Sequence, residues 1–160
     1  MATAPVLGMA VNIVVIAETA QAATNLEAHM SDAAISEAAV STAFLDEFAD
    51  AWNRHDTDAI LAAMTDDCVF ETSMGPTVAG TRYVGQHRTR EGVQTVFEQF
   101  PDAQWNGPKH FMAGDRGVTE WVFTGTRPDG TRVAVQGCDV FTFRHGKIAV
   151  KNSYRKQRTV

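Results

Sequence analysis

The feature that most constrains the fold is a change in the spacing of apolar residues near Pro101. Before Pro101 the apolar residues recur every three or four positions, which is the spacing of amphipathic helices. Helices are predicted there at about 35–53, from Asp56 or Thr57 to about residue 64, and at about 90–100. After Pro101 alternate residues are apolar, which is typical of strands. Four long strands are predicted: 103–113, 118–126, 131–143 and 147–155.

This order of elements predicts the α+β class, with about three N-terminal helices packed on one face of a curved, mainly antiparallel sheet. A short strand at 68–72 and a loop at 75–85 are expected between the second and third helices. The chain of 160 residues is long enough to form one domain around one hydrophobic core.

Composition argues against several classes of function. Fourteen Lys and Arg residues stand against nineteen Asp and Glu, which gives a net charge of −5. Neither a nucleic-acid partner nor a membrane partner is expected, because both need a basic surface. The histidines lack metal-site spacing and no nucleotide-binding motif occurs, so no metal or other cofactor is expected. Two isolated cysteines, Cys68 and Cys138, favour a reducing, cytoplasmic compartment.

Charge and composition divide the chain into an expected N-terminal extension or arm, 1–40, and an expected domain, 41–160. Residues 1–53 contain seven acidic residues and no Lys or Arg. The apolar run 6–17 is similar to a signal-peptide core, which would make the protein secreted or periplasmic, but it lacks a positively charged start. The alternatives are an upstream extension, with Met30 as the true start, or a docking arm.

The turn between the predicted strands 118–126 and 131–143 indicates the register in which they pair. In Pro128-Asp129-Gly130 the glycine is the third loop residue, which fits a type I turn closed by a left-handed glycine. Arg127 then pairs with Thr131. Continuing the ladder places Phe123 opposite Val135, Trp121 opposite Gly137, and Thr119 opposite Asp139.

Asp139 is unusual in this register. The odd positions of 131–143 share one face, so Asp139 is a lone carboxylate on an apolar face, with Trp121 as a diagonal neighbour. Burying a carboxylate costs several kcal/mol unless it is paired or protonated. Asp139 is therefore either a sheet-end residue that reaches solvent or an acid/base group in a hydrophobic cavity.

The last hairpin decides which residue faces Asp139. A three-residue Arg144-His145-Gly146 loop places Lys151 opposite it, whereas a two-residue His145-Gly146 turn places Asn152 there. We favour the first, because the glycine then takes the position that needs a positive φ. Lys151 on that face would hold Asp139 ionised, whereas Asn152 would leave desolvation unopposed.

Three segments resemble the nuclear transport factor 2-like superfamily, which includes ketosteroid isomerase and the SnoaL-like polyketide cyclases. They read FADAWNRHD at 48–56, MTDDCVFE at 64–71 and GCDVFTFRHGKI at 137–148. The resemblance covers about residues 42–155. It implies a cone in which the helices close over the curved sheet and enclose an apolar pocket.

The resemblance implies roles for particular residues. Asp139 matches the strand aspartate that ketosteroid isomerase keeps protonated in its oxyanion hole. It also matches the single acid/base Asp of SnoaL-like cyclases. Phe48 stands where the isomerase has a tyrosine, and Thr72 stands where it has its general base. Glu71, one position earlier, is a candidate substitute, although a shift of one residue turns a strand side chain to the other face.

The sequence therefore predicts a small-molecule proton-transfer enzyme of isomerase, cyclase or lyase type acting on an apolar carbonyl compound. The alternative is a non-catalytic ligand-binding or protein-interaction module of the same fold. The candidate catalytic residues are Asp139, Glu71 and Lys151. The expected pocket residues are Phe48, Trp52, Tyr83, His110, Thr119, Trp121, Phe123, Val135 and Phe141. The opposite face of the sheet is apolar enough to predict a homodimer through it.

Overall fold

The computed structural model describes residues 40–158. The interpretations of 1–39 as a signal, an extension or an arm lie outside the described residues. Helix α1 covers Thr42–Asn53 and helix α2 covers Thr57–Ala62. The Ser41 hydroxyl accepts a hydrogen bond from the Phe44 amide and the Asp56 carboxylate accepts one from the Ala59 amide, so a side chain caps the start of each helix.

Six strands form one sheet; five were predicted, and the short strand Arg82–Val84 lies within the expected loop 75–85. They are β1 (Met64–Glu71), β2 (Arg82–Val84), β3 (Gln104–Ala113), β4 (Arg116–Thr126), β5 (Arg132–Arg144) and β6 (Lys147–Arg155). Their order in the sheet is β2-β1-β6-β5-β4-β3, and only the β1–β6 pair is parallel. The chain is thus an α+β protein in which helices cover one face of a curved, mainly antiparallel sheet, as predicted.

Helix α3 covers Gly85–Gln99 and is longer than the predicted 90–100. Its first turn is polar, so hydrophobic spacing does not reveal it. The Gln86 side chain explains this polarity, because its amide donates to the carbonyls of Leu61 at the end of α2 and of Met64 and Thr65 at the start of β1. Strand β1 likewise begins at Met64 rather than at the predicted residue 68.

The predicted register between β4 and β5 is confirmed. Thr119 lies opposite Asp139, Trp121 opposite Gly137, and Phe123 opposite Val135. The buried residues of β5 are therefore its odd positions, which pack against the helices.

The favoured three-residue loop of the last hairpin was wrong; the alternative two-residue His145-Gly146 turn forms, although it does not place Asn152 opposite Asp139. Arg144 pairs with Lys147 across a two-residue turn in which His145 and Gly146 have φ of 53° and 70°. Two positive φ angles define a type I′ turn, whose twist matches that of the flanking strands. A bulge at Ala149 then shifts the register by one residue.

The bulge places Ser153, rather than Lys151 or Asn152, directly opposite Asp139. Because side chains alternate along a strand, Lys151 still shares the face of Ser153. The predicted proximity of Lys151 to Asp139 is therefore preserved by a different register.

The hydrophobic core lies between the helices and the covered face of the sheet. Its aromatic residues are Phe48, Trp52, Phe70, Phe100, Trp105, Trp121, Phe123, Phe141 and Phe143. Within residues 40–158, no helix is both long and apolar enough to cross a bilayer.

Candidate functional site

The Asp139 carboxylate is buried in the middle of β5 and accepts three side-chain hydrogen bonds. Its Oδ1 accepts from Lys151 Nζ at 2.7 Å and from the Ser153 hydroxyl at 2.6 Å. Its Oδ2 accepts from Trp121 Nε1 at 3.0 Å. Only 8% of the Asp139 side chain and 4% of the Lys151 side chain are exposed, so the ion pair is closed to bulk water. The three donors satisfy most of the acceptor capacity of an ionised carboxylate.

Lys151 is fixed by contacts beyond its ion pair. Its Nζ also donates to the Ser153 hydroxyl at 2.8 Å, which orients that hydroxyl toward Asp139. The same nitrogen lies 4.7 Å from the centroid of the Trp52 ring and 4.9 Å from that of Phe70. Cation–π attraction to two ring faces stabilises the ammonium in this apolar surrounding.

Trp121 is held against Asp139 by a glycine. Trp121 pairs directly with Gly137 across β4 and β5, and its ring lies over that residue. A Cβ at position 137 would lie 2.4 Å from the ring carbon Cη2 of Trp121. Glycine is therefore required there for the close approach of the indole.

A cavity of about 140 Å³ lies beside this cluster. Lys151, Ser153 and Trp121 line it, together with aromatic rings and a few hydroxyl groups. Further lining residues are Trp52, Phe70, Thr72, Tyr83, Phe100, Trp105, Phe123 and Arg155. Asp139 lines a second, much smaller space of about 20 Å³. Three tryptophans line both spaces: Trp52, Trp105 and Trp121.

One buried donor at the cavity lacks an acceptor. The indole nitrogen of Trp52 has no hydrogen-bond partner among residues 40–158, although the residue is 4% exposed. Buried polar groups are nearly always paired, so an acceptor supplied by a bound molecule would satisfy this N–H.

Arg155 lines the cavity at the end of β6. Its guanidinium lies 5.4 Å from the centroid of the Phe123 ring and 5.8 Å from that of Phe100. Burial, and secondarily the charge of nearby Arg127, lower the pKa of Arg155 from its usual value.

The structure places the expected pocket residues in three positions. Those lining the larger cavity are Trp52, Tyr83, Trp121 and Phe123. Those around the smaller space, with Asp139, are Phe48, Trp52, Thr119, Trp121 and Phe141. The other two, Val135 and His110, line neither space. Val135 is a core residue of β5.

His110 takes part in a separate hydrogen-bonded chain. Its Nδ1 lies 2.8 Å from the Thr119 hydroxyl and its Nε2 lies 3.0 Å from Asp46 Oδ1 on α1. The ring is thus buried between helix and sheet, behind Thr119, rather than in contact with a cavity.

Glu71 is not brought to Asp139. It lies next to buried Phe70 on β1 and therefore points to the opposite face, where its carboxylate pairs with Arg82 at 3.1 Å. Thr72, at the position of the isomerase base, does line the larger cavity.

Two residues of the site, Ser153 and Arg155, were not singled out from the sequence. The signal that finds them is strand alternation, since an inward Lys151 implies that positions 153 and 155 share its face. The favoured three-residue loop already implied an inward Lys151, so the same alternation would have found both residues; the observed two-residue turn keeps this parity only through the bulge at Ala149.

Comparison with known proteins agrees with this architecture. A candidate polyketide cyclase from Xanthomonas campestris pv. campestris is similar in structure, with a TM-score of 0.63 and 23% identity over 71% of this chain and 87% of that one. An NTF2-like protein of unknown function from Burkholderia pseudomallei K96243 has a TM-score of 0.64 and 19% identity, over 72% of this chain and 89% of that one.

A third similar structure comes from Catenulispora acidiphila DSM 44928. This hypothetical protein has a ketosteroid isomerase-like fold and was solved in complex with trimethylamine. Its TM-score is 0.62 and its identity 18%, over 69% of this chain and 83% of that one. At these identities the likeness establishes the fold.

No curated protein matches the chain significantly. The SnoaL-like domain matches residues 45–151, which include all six strands except the last residues of β6. That span is more than half of the chain and contains Asp139, Lys151 and most residues that line the two spaces, whereas Ser153 and Arg155 lie beyond it. The chain therefore belongs to the SnoaL-like domain family.

Proposed function

We propose that the chain is a small-molecule enzyme of isomerase, cyclase or lyase type that moves a proton on an apolar carbonyl compound, with Asp139 as the acid/base group. The observation that carries this proposal is the buried Asp139–Lys151 pair, joined by the Ser153 hydroxyl, beside an aromatic cavity. Burying two charges costs several kcal/mol each before they attract one another, and such clusters are concentrated at functional sites. Membership of the SnoaL-like family supports the same class of function.

Lys151 suits the stabilisation of negative charge on a substrate oxygen. An ammonium has three N–H donors, and two of those of Lys151 are used by Asp139 and Ser153. The third has no acceptor among residues 40–158, and Lys151 lines the cavity, where the carbonyl oxygen of a substrate would gain charge as its α-proton leaves. A fixed cation in a dry site stabilises an enolate much more strongly than water does.

Ser153 suits the transfer of the proton between the cavity and Asp139. Its hydroxyl lines the cavity and donates to Asp139 Oδ1 at 2.6 Å. In the proposed step the Ser153 oxygen takes the α-proton as its own proton passes to Asp139, and the electron pair of the broken C–H bond forms the enolate. Reversal of the same path at another carbon completes an isomerisation.

A single-carboxylate mechanism follows from the residues around the cavity. Among the described residues, no Asp or Glu lines the larger cavity, and Asp139 is the carboxylate next to it. Phe48 has no hydroxyl with which to complete an isomerase oxyanion hole, and Thr72 is not a base. These features favour proton transfer through Asp139 alone over the two-carboxylate chemistry of a steroid isomerase.

The test is deuterium exchange into a model ketone. 2-Tetralone, an apolar aryl ketone with acidic α-protons, is incubated in D₂O buffer with the protein, and loss of the α-proton signal is followed by NMR. Lys151→Met should lower the protein-dependent rate at least about 10-fold, and Ser153→Ala should lower it by a similar factor. Lys156→Met, which removes an exposed lysine bonded to Gln136, should leave the rate unchanged. The proposal would be contradicted if exchange with the unsubstituted protein were no faster than exchange in buffer alone.

One observation favours the second candidate, a non-catalytic ligand-binding module. The Asp139 carboxylate already accepts three hydrogen bonds, and Lys151, Ser153 and Trp121 lie between it and the larger cavity. A purely structural ion pair would have the same environment. Binding of 2-tetralone without exchange would support this candidate over the enzyme.

A further inference from the structure

We infer that the molecule that binds in the larger cavity carries an anionic oxygen group, such as a carboxylate, and that Arg155 binds this group. The inference adds the chemical class of the bound molecule to the proposed function. It rests on that function only because both use the same cavity. It concerns the end of the cavity formed by the last residues of β6, away from the Asp139–Lys151 pair.

The charges around the cavity leave one positive charge unmatched. The two cationic residues that line it are Lys151 and Arg155. Lys151 is neutralised by Asp139 at 2.7 Å. Among residues 40–158 no carboxylate lies within ion-pair distance of Arg155, whose side chain hydrogen-bonds to Met74 Sδ at 3.5 Å. Within this part of the chain the site is therefore positive by one charge.

Arg155 differs in this respect from three more exposed arginines. Arg82, Arg90 and Arg144 each pair with a carboxylate, although 42% or more of each side chain is exposed. Arg155 is half-buried, where an unpaired charge is more costly than at the surface. A guanidinium that is partly removed from water and left without a carboxylate has donors available for a bound anion.

The surroundings of Arg155 hold its guanidinium in place. The rings of Phe100 and Phe123 lie within 6 Å of it, and Arg127 lies 5.7 Å from the centroid of the same Phe100 ring. Two guanidinium groups at one ring repel each other, and an anion between or beside them would offset this repulsion. A planar carboxylate can accept two parallel N–H donors of one guanidinium, which gives orientation as well as affinity.

The order of side chains on β6 suggests how such a molecule would lie. Lys151, Ser153 and Arg155 alternate along one face of the strand, with the aromatic rings of the cavity opposite. The anionic group at Arg155 would leave the apolar body on the aromatic rings and a second polar group near Lys151 and Ser153. The unpaired Trp52 N–H is a further donor for that second group.

The test compares two probes of nearly equal shape, 3-phenylpropanoate and its neutral amide, by the quenching of tryptophan fluorescence. The unsubstituted protein should bind the carboxylate at least about 10-fold more tightly than the amide. Arg155→Met should reduce this preference to less than about 2-fold by weakening only the carboxylate, whereas Arg155→Lys should keep part of it. Arg116→Met, which removes an exposed guanidinium at the other end of the sheet, should keep the preference.

Equal binding of the two probes by the unsubstituted protein would overturn the inference, and so would an undiminished preference in Arg155→Met. Binding of neither probe would overturn it as well. The assay needs no turnover, so its outcome is separate from that of the exchange experiment. A charge preference without exchange would retain the anion site and reject the proposed enzyme, whereas exchange without a preference would do the reverse.

Discussion

At the scale of single residues, Asp139 and Lys151 depend on each other. Removing one partner of a buried ion pair leaves the other charge without compensation, which costs about 3–5 kcal/mol. We therefore expect Asp139→Asn to lower the free energy of unfolding by roughly 3 kcal/mol or more. The same reasoning applies to Lys151→Met, which leaves a buried carboxylate with two donors, Ser153 and Trp121.

A double-mutant cycle in urea measures this dependence. The variant Asp139→Asn/Lys151→Met should lose clearly less stability than the sum of the two single variants, because it buries no unpaired charge. Additive losses, or a loss below about 1 kcal/mol for Asp139→Asn alone, would indicate that the pair is not buried as the structure has it.

At the scale of secondary-structure elements, the site depends on the register of β4 against β5. That register places Gly137 under the Trp121 ring and directs the indole N–H to Asp139. Gly137→Ala introduces a Cβ 2.4 Å from the ring and from the Tyr154 carbonyl oxygen, so the ring or the strand must shift.

We expect Gly137→Ala to cost about 1–3 kcal/mol of stability, as overpacking does. The shift should also break the Trp121–Asp139 hydrogen bond and change the tryptophan emission spectrum. Gly130→Ala is a suitable control, because a Cβ there meets no atom within 4 Å and tests only the cost of a positive φ. Unchanged emission in the Gly137 variant would contradict the proposed contact.

The same elements show what could be predicted from the sequence. Period-two alternation and the Pro128–Gly130 turn were sufficient to place Asp139 on the buried face opposite Thr119, because a register with one apolar face tolerates no shift of one residue. The last hairpin was not predictable in this way. His145 adopts a positive φ that favours glycine, and the bulge at Ala149 leaves no pattern in an apolar strand.

Longer-range parts of the site were also missed for physical reasons. Arg155 and Phe100 meet only because β6 passes beside the end of α3, and sequence spacing carries no information about such contacts. The polar first turn of α3 was missed because its glutamine serves the end of another helix. Glu71 does not approach Asp139 because side chains alternate between the two faces of β1. The same rule placed Asp139 correctly on the buried face of β5.

At the scale of the whole molecule, the uncovered face of the sheet predicts self-association. Exposed apolar side chains on this face include Phe111, Val122 and Tyr154, at 58%, 40% and 53% exposure. Val122 and Tyr154 line a groove of about 460 Å³ that also contains Cys138. An apolar face of this kind in an antiparallel sheet is suited to pairing with a second copy.

We expect light scattering to give twice the chain mass of 17.4 kDa at micromolar concentration. Val122→Glu should shift the mass toward the monomer, because it buries a charge in the interface without a partner. Gln94→Glu, at an exposed position of α3 on the other side of the sheet, is the control. A monomeric mass for the unsubstituted chain would contradict the predicted dimer.

Two carboxylate-to-amide substitutions test most directly whether Asp139 is the group that moves the proton. Asp139→Asn and Glu71→Gln each remove one charge from a strand of the same sheet, on opposite faces. Once circular dichroism has shown that both variants are folded, their rates of deuterium exchange into 2-tetralone are compared with that of the unsubstituted protein. We predict that the exchange rate falls at least about 100-fold in Asp139→Asn and is unchanged in Glu71→Gln. An unchanged rate in Asp139→Asn, or an equal fall in both variants, would contradict it.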